Sequence, residues 1–209
     1  METTAYLLRL AKQGNPAAQF RMGYRLAFGR NSPKPRDWEQ VLLWWRKAAA
    51  QGVRRASFYL GVCYDSGWGV AQDMSQAFSY YLAAATAGHP GAQYNVGFCY
   101  REGTGIVRDY GQSFTWFEKA ARSGDEEAQR DLGNCYFYGL GVEADREKAV
   151  KWYRRAARAG DSKAQYNLAL CYADGEGVAK YWRWERYWLQ QAARQGHRQA
   201  KQRLRHQEA

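Results

Sequence analysis

Four cysteines recur at a fixed interval and are the first residues whose chemistry needs an explanation. Cys63, Cys99, Cys135 and Cys171 stand 36 residues apart. In a stack of helices with one thiol each, neighbouring axes lie about 8–10 Å apart, whereas a disulfide needs Cα atoms within about 7 Å. Zinc requires four ligands that converge on one point, and a linear row does not converge. The spacing therefore predicts small, partly buried side chains in a reducing compartment, and no metal site.

The histidines and the glycine loops are the other candidates for chemistry. None of His89, His197 and His206 has a cysteine, serine or carboxylate at catalytic spacing, so we expect them at solvated positions. Gly-x-Gly loops such as Gly67–Gly69 follow a predicted helix rather than a strand, and they lack the third glycine of a dinucleotide-binding fingerprint. These patterns predict a protein that is not an enzyme and that binds no cofactor.

The interval of 36 residues governs most of the chain. An aromatic residue and an alanine pair recur before each terminal glycine, and in the last four units a pair of the leucine–glycine type, a tyrosine and a Gly-x-Gly loop precede them. The first unit has Leu26 at the tyrosine position and lacks the full Gly-x-Gly loop. A period of this length predicts stacked helical units. The terminal glycines are Gly52, Gly88, Gly124, Gly160 and Gly196.

Each unit is predicted to contain two short helices. In the first helix Ala128, Leu132 and Tyr136 lie at i, i+4 and i+8, on one helical face. Gly133 weakens a helix by about 1 kcal/mol relative to alanine, so its recurrence predicts the close approach of another helix. The Gly-x-Gly loop then ends the first helix, because glycine adopts left-handed backbone angles without a Cβ clash.

The second helix of each unit is predicted to begin at an aspartate that lies 15 residues before the terminal glycine. A carboxylate there can accept hydrogen bonds from the N–H groups of the first helical turn. These aspartates are Asp37, Asp73, Asp109 and Asp145. The predicted buried stripe of the fourth unit consists of Ala149, Trp152, Ala156 and Ala157.

The stretch from Ala128 to Gly160 resembles the Sel1-like repeat family, a relative of the tetratricopeptide repeats. It contains the family's Gly141-Val142, Asp145 and Trp152-Tyr153, and the resemblance extends over nearly all residues from 14 to 196. It implies an all-α fold, a right-handed α/α superhelix of about five helix-turn-helix repeats. It also implies a non-catalytic scaffold that gathers other proteins.

The repeats divide the chain into five units with a cap on each side. Residues 1–13 are predicted to form an N-terminal capping helix, and residues 197–209 a basic C-terminal capping helix or tail. The first unit is longer than the others, and we assign the excess to the loop 29–36. The five predicted units are 14–51, 52–87, 88–123, 124–159 and 160–195.

The fifth unit departs from the pattern in its second helix. Tyr181 replaces the capping aspartate, and Glu185 occupies the small-residue core position that Ala149 holds in the fourth unit. We therefore expect residues 181–188 to be irregular, with an unsettled helical register.

The first helices are predicted to line a concave partner-binding groove, as they do in related helical-repeat solenoids. Positions two before the leucine and one after the leucine–glycine pair are mostly aromatic or large aliphatic, which is typical of a protein-binding surface. Packing between units is the alternative, and Arg130 and Asn134 interrupt the row with polar groups that would fix a ligand's register. The predicted groove residues are Phe20, Tyr24, Phe58, Tyr94, Phe98, Arg130, Asn134, Phe137 and Tyr166.

A second candidate patch lies in the tryptophan-rich helix of the fifth unit. Trp182 and Trp184 are two residues apart and cannot share one helical face. At least one of them is expected to be exposed or to meet the closing helix, so an interface and internal packing both remain open.

The charge of the chain bears on the partner. Of the net charge of +11, residues 14–51 carry +5 and residues 196–209 carry +3. A nucleic-acid partner would favour a continuous basic stripe, which is not evident, so binding through the basic first unit and tail stays the alternative. We interpret the basic excess first as solvated surface, with attraction to an acidic protein or peptide partner as the other interpretation. A narrower hypothesis is an immunity-type protein that neutralises a cognate effector.

The apolar segments of the sequence bear on its location. No run approaches the roughly 18 apolar residues of a membrane span. The first residues lack a basic region and their apolar stretch breaks at Arg9, unlike a signal peptide. We expect a cytoplasmic bacterial adaptor that does not contact the membrane.

Overall fold

The computed structural model describes residues 3–29 and 36–208, and every regular element in these ranges is an α-helix. The chain divides into two compact halves, each larger than one of the predicted repeats. From here on they are called unit 1 (Met1–Arg108) and unit 2 (Asp109–Ala209). The helices of unit 1 are α1 (Thr4–Lys12), α2 (Pro16–Phe28), α3 (Trp38–Ala50), α4 (Arg54–Ser66), α5 (Met74–Thr86) and α6 (Pro90–Glu102). Those of unit 2 are α7 (Tyr110–Arg122), α8 (Glu126–Tyr138), α9 (Arg146–Ala159), α10 (Ser162–Asp174), α11 (Trp182–Arg194) and α12 (Arg198–Glu208).

Within each unit, consecutive helices pack against one another as antiparallel neighbours. Helices α2, α4, α6, α8 and α10 are the first helices of the predicted repeats, and α3, α5, α7, α9 and α11 are the second helices. Helices α1 and α12 lie in the two segments predicted as caps. Among the helices of the described ranges, none has the length and apolar character that a membrane crossing requires.

The helix ends follow from the local chemistry that the sequence predicts. The Asp73 carboxylate accepts a hydrogen bond from the Gln76 N–H at 3.0 Å, and the Asp145 carboxylate accepts one from the Lys148 N–H at 2.8 Å. At the end of α8, Gly139 has φ 73°, a left-handed angle that costs glycine nothing, and its N–H donates to the Cys135 carbonyl. The predicted aspartate caps and glycine stops are confirmed.

The glycine beside the pattern leucine marks the close approach that the sequence predicts. A Cβ atom at Gly61 would lie 2.5 Å from the Tyr81 ring, and one at Gly133 would lie 2.6 Å from the Tyr153 ring. In the fifth repeat the corresponding pair is Ala169 and Leu189, both buried in one core cluster. The smaller leucine therefore accompanies the one repeat in which this position carries a side chain.

The predicted buried stripe of the second helix is wrong by one position. Tyr153 is buried in α9, together with Ala149, Ala156 and Ala157, whereas Trp152 is only half-buried. Consecutive residues on a helix point about 100° apart, so only one of two adjacent aromatic residues can face the centre of the core. The buried residues at this position are Trp45, Tyr81, Phe117, Tyr153 and Leu189.

The second helix of the fifth repeat is regular, contrary to the prediction for residues 181–188. Helix α11 runs without a break from Trp182, although Tyr181 provides no side-chain cap. Glu185 is buried at the small-residue position, where its carboxylate accepts hydrogen bonds from Arg203 at 3.1 Å and Gln207 at 2.8 Å. Partners from α12 therefore compensate for its charge. Residues 30–35, most of the loop predicted to absorb the longer first repeat, lie outside the described ranges.

Candidate functional site

The first helices of unit 1 carry five of the predicted groove residues in two different environments. Phe20 is buried at 6% exposure, and Phe58 and Tyr94 are half-buried. Tyr24 and Phe98 are 40% and 39% exposed. The position two before the leucine is therefore mainly a packing position in this unit, whereas Tyr24 and Phe98, at the position after the leucine–glycine pair, face solvent.

An aromatic cluster covers the neighbouring faces of α2 and α4. The Tyr59 ring stacks on the buried Trp45 ring at 5.0 Å, and the rings of Tyr24 and Phe28 lie 5.7 Å from it. Trp68, in the loop after α4, lies 6.4 Å from Phe28. Phe28 and Trp68 remain 39% and 38% exposed despite these contacts. We call Tyr24, Phe28, Tyr59 and Trp68 the aromatic surface.

A cation lies at the edge of the aromatic surface. The exposed Arg55 guanidinium stands 4.8 Å from the centre of the Phe20 ring and 6.0 Å from that of Tyr24. Tyr24 and Arg55 also lie close enough to the Tyr59 hydroxyl to act on its pKa. Burial, followed by the proximity of Tyr24, raises the pKa of Tyr59, so the phenol stays protonated at neutral pH.

Two predicted groove residues pack against the histidines that cap α6 and α12. Phe58 stacks on His89 at 4.3 Å, and Tyr166 stacks on His197 at 4.6 Å. The His89 Nδ1 accepts a hydrogen bond from the Ala92 N–H at 3.2 Å, and His197 does the same for α12. Both histidines are half-buried, so the prediction of solvated positions is wrong for them.

Unit 1 also contains a small pocket beside Phe98. The pocket has a volume of about 60 Å³, and its lining includes Asp65, Tyr81, Asn95 and Phe98. The Tyr81 hydroxyl donates a hydrogen bond to the Asp65 carboxylate at 3.0 Å. The pocket is too small for more than a short side chain, and its polar groups already interact with each other.

In unit 2 the predicted polar positions form an internal network. Arg130 is buried at 8% exposure, and its guanidinium donates to both carboxylate oxygens of Asp131, at 3.0 and 3.2 Å. It also donates to the Asp161 carboxylate at 2.9 Å. Asp161 at the same time caps α10 by accepting from the Ala164 N–H. The guanidinium thus joins two helices and has little surface for a ligand.

Asn134 is engaged in the same way. Its amide donates to Asp131 at 3.1 Å, and its oxygen accepts from the Tyr153 hydroxyl at 2.8 Å and from the Asn167 amide at 3.3 Å. Burial raises the pKa of Tyr153, which keeps the donor proton on the phenol. Polar groups that satisfy one another in this way stabilise a single arrangement of helices.

Phe137, another predicted groove residue, lies beside a second pocket. The pocket of about 110 Å³ is lined by Phe137, Tyr153, Asn167 and Leu170 among others. The Arg146 guanidinium covers the Phe137 ring at 3.9 Å from its centre. Little of this ring is therefore available to a partner.

The second candidate patch is exposed on α11. Trp182 is 64% exposed and Trp184 is 45% exposed, and Tyr187 lies 5.4 Å from Trp184. The Trp184 ring also lies 6.5 Å from the buried Trp188. One tryptophan is therefore open and the other partly packed.

The four pattern cysteines are buried and form no disulfide. Burial raises the pKa of Cys63 to about 12, of Cys99 to about 11 and of Cys171 to about 12. Thiols with such values are neutral and unreactive at physiological pH. In the part of the chain that the structure describes, no group of three or more histidine, cysteine or acidic side chains could hold a metal ion.

The residue pattern of the repeats does not predict Phe28, Tyr59, Trp68 and Arg55 as site residues. The pattern consists of residue types that recur every 36 residues, and each of these four occurs in one repeat only. A comparison of what differs between repeats would have found them, because the equivalents of Tyr59 and Trp68 in the fifth repeat are Asn167 and Glu176.

The comparisons with known proteins agree on the fold. A protein-family model described as Sel1 repeat matches six segments of the sequence, 16–53, 54–89, 90–125, 126–161, 162–180 and 186–197. The last two segments flank residues 181–185, where Tyr181 and Glu185 depart from the pattern. No curated protein gives a significant match.

Several solved structures are similar to the chain. A protective antigen of uropathogenic Escherichia coli, displaying an SLR fold, has a TM-score of 0.90 and 36% identity over 96% of this chain and 42% of its own. A Sel1 repeat protein from Oxalobacter formigenes has a TM-score of 0.82 and 34% identity over 97% of this chain and 59% of its own. An immunity protein from Pseudomonas aeruginosa shares the fold at 24% identity and a TM-score of 0.52 over 88% of this chain and 66% of its own.

The chain thus spans about two fifths and three fifths of the lengths of the first two structures. These structures confirm the predicted all-α repeat solenoid. The family model matches most of the chain, and both long matches exceed 30% identity. The chain therefore belongs to the Sel1 repeat family.

Proposed function

We propose that the chain is a non-catalytic protein-binding module and that its partner contacts the aromatic surface of unit 1. The observation that carries this proposal is the exposure of Tyr24, Phe28 and Trp68, at 38–40% each, within one cluster of touching rings. Large aromatic side chains that are rigid and half-open provide much contact area at a low entropic cost. Exposed apolar patches of this kind usually mark binding surfaces.

The contrast between the two units supports unit 1 as the binding region. In unit 2, Arg130 and Asn134 are occupied by Asp131, Asp161 and Tyr153. A partner would have to break those hydrogen bonds and leave buried polar groups unsatisfied, which costs more than a new contact contributes. The aromatic surface imposes no such penalty, since its rings stay in contact with each other when a partner covers them.

The family membership is consistent with this role. Sel1 repeat proteins generally mediate protein–protein interactions and are generally non-catalytic. The narrower proposal, an immunity-type protein that occludes an effector, rests on the basic first repeat and on the aromatic surface as a place for the effector to bind. It predicts that the captured partner is a toxic effector. Capture of housekeeping assemblies alone would refute the immunity hypothesis.

The test is affinity capture from native cells with the full chain immobilised and the bound proteins identified by mass. We expect a specific partner to be captured by the wild type and lost with Tyr24→Ser or Trp68→Ser, because each change removes a half-exposed ring from the aromatic surface. Tyr187→Ser is the matched control, since Tyr187 is 43% exposed but lies on α11.

Circular dichroism and thermal melting establish that each variant is folded. A partner that binds all variants equally would refute the proposal. Capture that weakens steeply with added salt and disappears after nuclease treatment would instead support the nucleic-acid alternative.

A further inference from the structure

Arg55 occupies an unusual position at the start of α4. Its guanidinium lies against the faces of the Phe20 and Tyr24 rings, 4.8 and 6.0 Å from their centres. A guanidinium stacked in this way keeps its N–H donors at its edge, where they can bind a carboxylate in two parallel hydrogen bonds. Because the rings restrict its motion, less conformational entropy is lost when a ligand binds.

Two phenols lie beside this cation. The Tyr24 and Tyr59 rings meet edge to face at 5.7 Å, and both Arg55 and Tyr24 act on the pKa of Tyr59. A hydrogen bond between the two hydroxyls uses one proton at most, so at least one phenol can donate to an anion that approaches the guanidinium. The cation and at least one neutral donor therefore lie together at the edge of the aromatic surface.

Within residues 3–29 and 36–208, no carboxylate forms a salt bridge with Arg55, whose guanidinium lies over the rings of Phe20 and Tyr24. The Arg130 guanidinium of unit 2, by contrast, is held by two carboxylates. A cation that is positioned but not neutralised is what a binding site for an acidic group requires.

The surrounding charges favour an anionic ligand. Helix α2 contains two arginines and no acidic residue, and α4 begins with Arg54 and Arg55. The one acidic side chain of α4 that faces the neighbouring pocket, Asp65, accepts a hydrogen bond from Tyr81 near the other end of the helix. The local field therefore attracts negative charge to the start of α4.

We propose that Arg55, Tyr24 and Tyr59 form a receptor for the side-chain carboxylate of an aspartate or glutamate in a partner segment, next to an apolar side chain that packs on Phe28 and Trp68. This inference rests on the proposed function and adds the chemistry of the partner: an acidic segment with an aromatic or large aliphatic neighbour.

The test uses a random library of 12-residue peptides displayed at the N-terminus of a phage coat protein, so that no peptide has a free terminal carboxylate. The library is selected on the wild type, Arg55→Gln and Arg155→Gln. Arg155 is the matched control, since it is also exposed and its guanidinium also lies over a ring, that of Trp152, at 4.5 Å. We expect acidic residues beside aromatic ones to be enriched by the wild type and the control, but not by Arg55→Gln.

One enriched peptide, made with an amidated C-terminus and a fluorescent label, is then titrated with each protein. We expect binding to be about tenfold weaker for Arg55→Gln, as expected for the loss of one charge-assisted hydrogen-bonded pair. Arg155→Gln should change it less than twofold, and Arg55→Lys should lie between them because lysine keeps the charge but not the planar fork. Circular dichroism confirms that the variants are folded.

The receptor is refuted if no peptide is enriched, if the wild-type and Arg55→Gln pools contain equal proportions of acidic residues, or if the peptide binds both proteins equally. Its failure is distinguishable from failure of the proposed function. If Tyr24→Ser abolishes capture of the cellular partner while Arg55→Gln leaves it intact, the aromatic surface still binds a protein but not through a carboxylate.

Discussion

In unit 1 the guanidinium of Arg55 lies on the rings of Phe20 and Tyr24, whereas in unit 2 the guanidinium of Arg130 is buried between Asp131 and Asp161. The two cations lie at related places, because Phe20 and Arg130 occupy the same position of the repeat. In one unit an aromatic ring supports a cation that faces solvent. In the other, the cation takes the place of the ring and is neutralised within the protein.

The difference shows how a repeat architecture separates stability from binding. The shared positions, such as the capping aspartates and the glycine at the closest approach of two helices, are used alike in both units. The first-helix surface is not constrained in this way, so it can be closed by hydrogen bonds or left open. We infer that unit 2 uses this surface for internal packing and that unit 1 presents it to a partner.

The largest expected effect is that of Arg130→Gln on stability. This change removes the cation that neutralises the buried Asp131 and the half-buried Asp161, so we expect the free energy of unfolding to fall by about 3–5 kcal/mol. Arg55→Gln should cost only about 0.5–1 kcal/mol, the contribution of an exposed cation–ring contact. Urea unfolding followed by circular dichroism measures both. Equal costs for the two variants would contradict the comparison.

A smaller effect is expected where the two units are built alike. We expect Gly61→Ala to destabilise by about 1–3 kcal/mol, because the new Cβ would lie 2.5 Å from the Tyr81 ring. In a Tyr81→Leu background, which reproduces the Ala169–Leu189 pair, the same change should become neutral or stabilising by up to about 1 kcal/mol, since alanine favours a helix over glycine.

The matched change in unit 2 is Gly133→Ala, opposite Tyr153, for which a similar cost is expected. Double-mutant cycles in both units give the coupling between the two positions. If Gly61→Ala stabilises the chain with Tyr81 present, the close approach is not what fixes glycine at this position.

The smallest effect concerns the helix caps and depends on pH. Burial, and after it the charges of Arg54 and Arg55, lower the pKa of His89, whose neutral Nδ1 caps α6. The unfolded state therefore binds a proton more readily than the folded state. The contribution of the His89 cap to stability is fully present above the unfolded-state pKa of about 6.5. It is lost as the pH falls through the lower pKa of the folded state.

We therefore expect the urea midpoint of the wild type to decrease from pH 7 to pH 5, and His89→Asn to decrease less. Asparagine caps α2 in this chain and does not titrate, and loss of a cap costs about 1 kcal/mol. Burial also lowers the pKa of His197, which caps α12, so part of the decrease should remain in the variant. Parallel profiles for both proteins would show that the His89 cap does not titrate in this range.

The sequence predicted those features that depend on local chemistry. The caps of α5 and α9 and the glycine that ends α8 follow from residues within one helical turn, so their types and spacing were sufficient. Which of Trp152 and Tyr153 is buried in the core does not follow from the local sequence. Both are aromatic and adjacent, and only the direction of the neighbouring helix decides which is buried.

The candidate site was less predictable for the same reason. Arg130 was expected to face a ligand, but it is neutralised by Asp161, which lies 31 residues away in the chain. Arg55 was overlooked because it does not recur in the other repeats, and its role depends on two rings of the preceding repeat. Whether the predicted groove residues contact a partner stays a prediction.

The most direct test of the binding role of unit 1 is the dissociation constant of the captured partner, measured by isothermal titration calorimetry for the wild type, Tyr24→Ser and Tyr187→Ser. If the aromatic surface binds the partner, Tyr24→Ser should weaken binding at least about tenfold, as expected for a hot-spot aromatic side chain, while Tyr187→Ser should stay within about twofold of the wild type. Unchanged binding by Tyr24→Ser together with weakened binding by Tyr187→Ser would contradict this account and place the partner on α11.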